Sequence, residues 1–149
     1  MRLTSKGIPN HISKSLCKKA IKFYAKYLLS VRLYETISIH VEFIKYEKHE
    51  YAYCNPEDEY NRTFLISINK NLSKEDTLRS IAHEMVHVKQ YVKRELKHYT
   101  RGDKVKFLDE FFIESKTNYW IRPWEKEARA LEEILYEEFV RSEEYDVSI

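Results

Sequence analysis

The spacing of apolar and polar positions changes several times along this chain, and each change marks an element. From about Ile12 to Leu29 the residues Ile12, Leu16, Ala20, Phe23, Tyr27 and Leu28 recur at helical spacing, with Ser13 placed as the cap and lysines on the outer face. Thr36 to Glu47 alternates instead, Ile37, Ile39, Val41 and Phe43 against Ser38, His40 and Glu42, which predicts a half-buried strand. Tyr51 to Cys54 and Thr63 to Asn69 read as further strands around the turn-forming Asn55-Pro56-Glu57-Asp58, so a small antiparallel sheet is expected. Ser73, with Asp76 three residues on, opens a second helix that should run to about Tyr91 on a core stripe of Leu78, Ile81, Met85, Val88 and Val92. About thirty residues with few helix signals follow. They carry the Arg101-Gly102-Asp103 turn and the apolar cluster Phe107, Leu108, Phe111, Phe112 and Ile113, and read as a hairpin or a long functional loop. Pro123 stands where proline favours a helix's first turn, and Trp124 to about Val140 is helical in composition. Ser142 to Ile149 reads as a frayed end.

Composition narrows this picture without redirecting it. A chain of 149 residues that is 43% hydrophobic can bury a core as one domain, 1–149. Its 26 basic and 24 acidic residues leave a net charge of +2, so neither nucleic acid nor an acidic membrane surface is expected as a partner, and a monomer is expected. The first part is lysine-rich and the last part acidic, which reads as two solvated helix faces. Cys17 and Cys54 are far apart and form no C-x-x-C, excluding a disulfide framework or a cysteine metal site and fitting a reducing, cytoplasmic location. No apolar run has the length of a signal peptide or a membrane span.

The candidate chemistry lies in the second helix, where His83-Glu84-Met85-Val86-His87 reads H-E-x-x-H. Residues four apart face the same way on a helix, so His83 and His87 can hold one zinc ion together. Glu84 falls about 60° round from His87, near enough to reach a water on the metal without ligating it. The two histidines sit off the core stripe beside Ser80 and Tyr91, and their alternative is a pair of solvated surface histidines. A hydrolytic zinc site takes three protein ligands and keeps one position open, so a third must come from elsewhere. On a helix starting at Pro123, the residues Trp124, Ala128, Leu131, Ile134 and Leu135 form an apolar stripe with Glu127 on its edge, whereas Glu125 projects with Arg129, Glu132 and Tyr136 toward water. A carboxylate against an apolar face is costly unless paired or metal-bound, which selects Glu127. Tyr119 and Trp120 lie close in sequence to this helix, where the Tyr119 hydroxyl could stabilise an oxyanion or both rings could pack beneath a loop.

H-E-x-x-H followed after about forty residues by a helical Glu-Ala resembles the gluzincin class of zinc metallopeptidases. The segment His83 to Tyr91, with Tyr119-Trp120 and Pro123 to Ala128, also resembles small metallopeptidases encoded by bacteriophages, and in size the minigluzincins, SprT-like and ImmA/IrrE-like proteins. The likeness spans Phe64 to Phe139 and departs from SprT-like proteins in lacking a clear third histidine, His98 being a weak alternative ligand. It implies an α+β zincin-like fold with zinc between the last two helices, held by His83, His87 and Glu127, and peptide hydrolysis with Glu84 as general base. The alternatives are a non-catalytic module that binds a protein partner and a DNA-associated regulatory protease.

Overall fold

The computed structural model describes residues 1–46 and 51–145. The expected strand end at Glu47, the histidine His49 and the last four residues of the expected frayed end lie outside the described residues. Among the described residues, seven strands and four helices follow in the order β1 (Arg2–Lys6), α1 (Lys14–Leu28), α2 (Val31–Thr36), β2 (Ser38–Ile44), β3 (Ala52–Pro56), β4 (Thr63–Asn69), α3 (Lys74–Val92), β5 (Leu96–His98), β6 (Lys104–Phe107), β7 (Glu110–Ile113) and α4 (Pro123–Arg141). Short 3-10 turns at Glu114–Lys116 and Tyr119–Ile121 lead into α4.

The fold is α+β, but its main sheet is mixed rather than antiparallel. Strand order is β1-β2-β4-β3, with β1 parallel to β2, β2 parallel to β4, and only β3 antiparallel to its neighbour β4. The expected antiparallel sheet assumed that strands adjacent in sequence pair with one another, whereas β4 inserts between β2 and β3. Strand β1 carries no alternating apolar run to announce it: an edge strand needs one partner, and Leu3 facing Ile39 across the pair is enough. Gly7 turns the chain out of β1 at a φ of +74°, and a Cβ there would stand 2.9 Å from the Phe43 carbonyl oxygen.

Helix α1 starts where its cap predicts, Ser13 Oγ accepting from the Leu16 amide. Its buried face is Leu16, Cys17, Ala20, Ile21, Tyr24 and Ala25, so Tyr24 rather than the expected Tyr27 faces inward. The Tyr24 hydroxyl donates to the Leu78 carbonyl at 3.2 Å, satisfying the one polar atom of a wholly buried ring. Helix α3 begins at Ser73, whose Oγ accepts from the Asp76 amide, and is enclosed by α1, β3, β4, α4 and β5. Thirteen of its 19 residues are buried as a result, polar ones included. The segment after α3 is a three-stranded antiparallel sheet, β5-β6-β7, which takes the hairpin reading over the loop. Phe107 and Phe112 on its inner face meet Trp124 at 6.1 and 5.4 Å between ring centres and anchor the start of α4. At the other end of α4, Phe139 is wholly buried among Phe23, Tyr24 and Tyr145. The chain is therefore packed through Tyr145 rather than frayed from Ser142.

Candidate metal centre

One turn of α3 sets the His83 and His87 rings 5.1 Å apart at their centres. Because α4 lies over them, they are not the solvated surface pair that their place off the apolar stripe allowed: His87 is buried and the His83 side chain is only 12% exposed. Glu125, in the first turn of α4, reaches both, one carboxylate oxygen 3.1 Å from His83 Nε2 and the other 2.7 Å from His87 Nε2. Three ligand atoms from these residues lie within 4.8 Å of one another, the only such cluster among the described residues.

The outer ring nitrogens are held as well. His83 Nδ1 stands 3.3 Å from Glu132, and His87 Nδ1 lies 2.8 Å from the Gln90 side-chain oxygen. Gln90 is fixed in turn, donating to the Trp124 carbonyl at 2.9 Å and to Glu127 at 3.0 Å. An acceptor at Nδ1 keeps a proton there, so Nε2 is the atom each ring turns toward Glu125 and the atom that would be free to ligate once its own proton leaves. Two imidazoles and a carboxylate with their free atoms converging, set by outer partners, fit a borderline-soft divalent ion and leave room for a non-protein ligand.

Glu127 does not join this cluster, contrary to the sequence expectation. Its carboxylate pairs with Lys89 at 3.0 Å and accepts from Gln90, while Glu125 is only 7% exposed. The buried row of α4 is Trp124, Glu125, Ala128, Leu135 and Phe139, and Ile134 is 44% exposed. At 100° per residue, that row is turned about 50° from the predicted stripe, which brings Glu125 within about 60° of its centre and leaves Glu127 about 100° away. The predicted stripe followed apolarity, and a face containing a polar centre is not marked by apolarity alone. Glu132 and Gln90 were missed as orienting partners, although Glu132 lies two turns after Glu125 on the same row and Gln90 one turn after His87.

Glu84 is 5% exposed, faces two cavities that flank the histidines, and has no hydrogen-bond partner among the described residues. Burial raises its pKa, against the pull of His87 and His83. Glu125 goes the other way: burial alone would raise it, but bonds from His83 and His87 hold it well below the usual carboxylate range. Burial pushes the His83 imidazole down, and its bonds to Glu125 and Glu132 with the nearby Glu84 charge outweigh this and lift it to about 10. Tyr119, in the turn before α4, lines the same cavity with its hydroxyl toward Glu125, and the Arg129 guanidinium lies against its ring and that of Trp120. Tyr91 also lines the cavity; His98 does so too but pairs with Glu114 and stands outside the cluster. The cavity beside the cluster measures about 230 Å³. The chain matches no known family, no curated protein and no solved structure. No described helix is long and apolar enough to cross a membrane.

Proposed function

We propose that the chain is a zincin-like, zinc-dependent peptidase of the gluzincin type, with His83, His87 and Glu125 as ligands and Glu84 as general base. Zinc at this cluster would supply a Lewis acid for a scissile carbonyl and for the attacking water. The observation that carries the reading is Glu84: a buried carboxylate beside the ligands, facing the cavity and committed to no hydrogen bond. A purely structural metal site has no need of such a group. Burial raises the proton affinity of its carboxylate, which suits a residue that takes a proton from water and passes it to the leaving amine. Tyr119 lines the same cavity and would donate its hydroxyl to the carbonyl oxygen as negative charge builds there, once Glu125 is engaged elsewhere. Glu132 and Gln90 hold the two imidazoles in the ligating tautomer.

The deciding experiment is Glu84→Gln, which removes the base and no ligand. The variant should keep its metal and its thermal midpoint while losing cleavage of peptides that the wild type cuts, by about a hundredfold or more. Undiminished turnover would refute the role of Glu84. A metal-loaded wild type that cuts no member of a diverse peptide library would favour the partner-binding alternative.

A further inference from the structure

The cavity at the histidines shares Cys54, Tyr91, Leu96 and His98 as walls with a larger cleft of about 640 Å³. Three cations border this cleft: Arg94 just after α3, Lys97 on β5 and Lys106 on β6. No carboxylate pairs with any of them among the described residues. Of the two acids in the lining, Glu95 is engaged by Lys89 at 2.8 Å, leaving Glu59 against three positive charges.

Two of these placements work against local stability. Lys97 and Lys106 stand directly opposite each other in the β5-β6 ladder, an arrangement of like charges that disfavours strand pairing. Arg94 occupies the left-handed position of a Schellman turn, at a φ of 58°, with its own amide donating to Tyr91 and the Glu95 amide to Gln90. Glycine is the residue such a turn favours, because a side chain there strains the backbone. The lysines are also held in place: Lys97 lies 4.9 Å from the centre of the Tyr99 ring and Lys106 5.5 Å from that of Phe111. Cations kept at some cost, preset against aromatic rings and bordering a cleft that shares walls with the cavity at the metal centre, offer a site for anions.

We infer that this cleft selects acidic side chains of the peptide substrate, with Arg94, Lys97 and Lys106 as specificity determinants on one side of the scissile bond. The inference rests on the peptidase reading of the neighbouring site. Carboxylates in a peptide answer both features at once, because an extended chain crossing the metal centre passes along the walls its cavity shares with this cleft, where three cations stand without a carboxylate partner among the described residues.

The test compares fluorescent peptides that carry Asp and Glu with matched peptides carrying Asn and Gln. Binding is read by anisotropy on zinc-loaded Glu84→Gln, and cleavage on the wild type. Acidic peptides should bind about tenfold tighter, since three partly exposed ion pairs each contribute a small factor, and the preference should shrink with added salt. The triple variant Arg94→Gly, Lys97→Gln, Lys106→Gln should lose that preference. Arg94→Gly alone should lower it while its thermal midpoint stays at or above the wild-type value, a combination that a merely structural arginine would not give. Equal binding of the two peptide sets, or a preference that survives the triple variant, would overturn the inference. So would a single-stranded oligonucleotide that binds the cleft more tightly than the acidic peptide and displaces it. Cleavage without acid preference would sink this inference and leave the peptidase reading standing; acid-selective binding without cleavage by the wild type would do the reverse.

Discussion

Glu125→Ala removes the carboxylate that bridges His83 and His87, while Glu127→Ala, two residues on, removes a carboxylate that faces Lys89. The first change takes one of three protein ligands. With free metal at a thousand times the dissociation constant, a bound ion stabilises the fold by about 4.1 kcal/mol. If the lost ligand weakens binding about a hundredfold, the same metal concentration is ten times the new constant and contributes about 1.4 kcal/mol. The difference, about 2.7 kcal/mol, should lower the thermal midpoint of a chain this size by about 5–10 °C, and a chelator should narrow the gap to what the lost bonds to His83 and His87 contribute. Glu127→Ala breaks a pair whose carboxylate is about a third exposed, a change of about 0–1 kcal/mol, and Gln90 keeps its bond to Trp124. It should bind metal as the wild type does. Differential scanning fluorimetry with and without metal, beside metal analysis of both variants, reads all four quantities. Metal lost with Glu127 and kept without Glu125 would refute the phase of α4 and with it the ligand set.

Phe139→Ala should cost about 3–5 kcal/mol in urea unfolding, because the ring is wholly buried against Phe23, Tyr24 and Tyr145; a loss below about 1 kcal/mol would mean that α4 does not dock on α1. Burial pushes the Cys17 thiol up to about 12, so its contribution is present below the usual thiol value and lost as pH climbs from there toward 12. One unit above that usual value, near pH 10, the wild type should have lost about 1.4 kcal/mol more than Cys17→Ala has lost relative to neutral pH; parallel pH profiles for the two would refute the burial.

Much of the fold could be read from the chain because independent signals agreed. Helix α3 has a cap at Ser73, an apolar stripe and a histidine pair that all require the same helix, and β4 has an apolar run bounded by turn residues. Strand β1 and the parallel pairing could not be read, because RLTSK has one apolar residue and its pairing depends on a strand more than thirty positions away. In the site, His83 and His87 were legible from spacing alone, since four residues make one turn. Glu125 was not. Assigning the face of α4 by apolarity put Ile134 inside and Glu125 outside, and the fold reverses both because Glu125, Glu132 and their histidines are polar groups that satisfy each other. A rule that buries apolar residues first goes astray where buried polar residues serve a site.

The central claim is a metal centre built by His83, His87 and Glu125, and elemental analysis of the purified protein beside the His83→Ala, His87→Ala double variant tests it most directly. The wild type should carry about one zinc ion per chain and the folded double variant essentially none, as three converging ligand atoms require. A wild type that takes up no divalent metal at micromolar supply, or a double variant that keeps the wild-type stoichiometry, would contradict it.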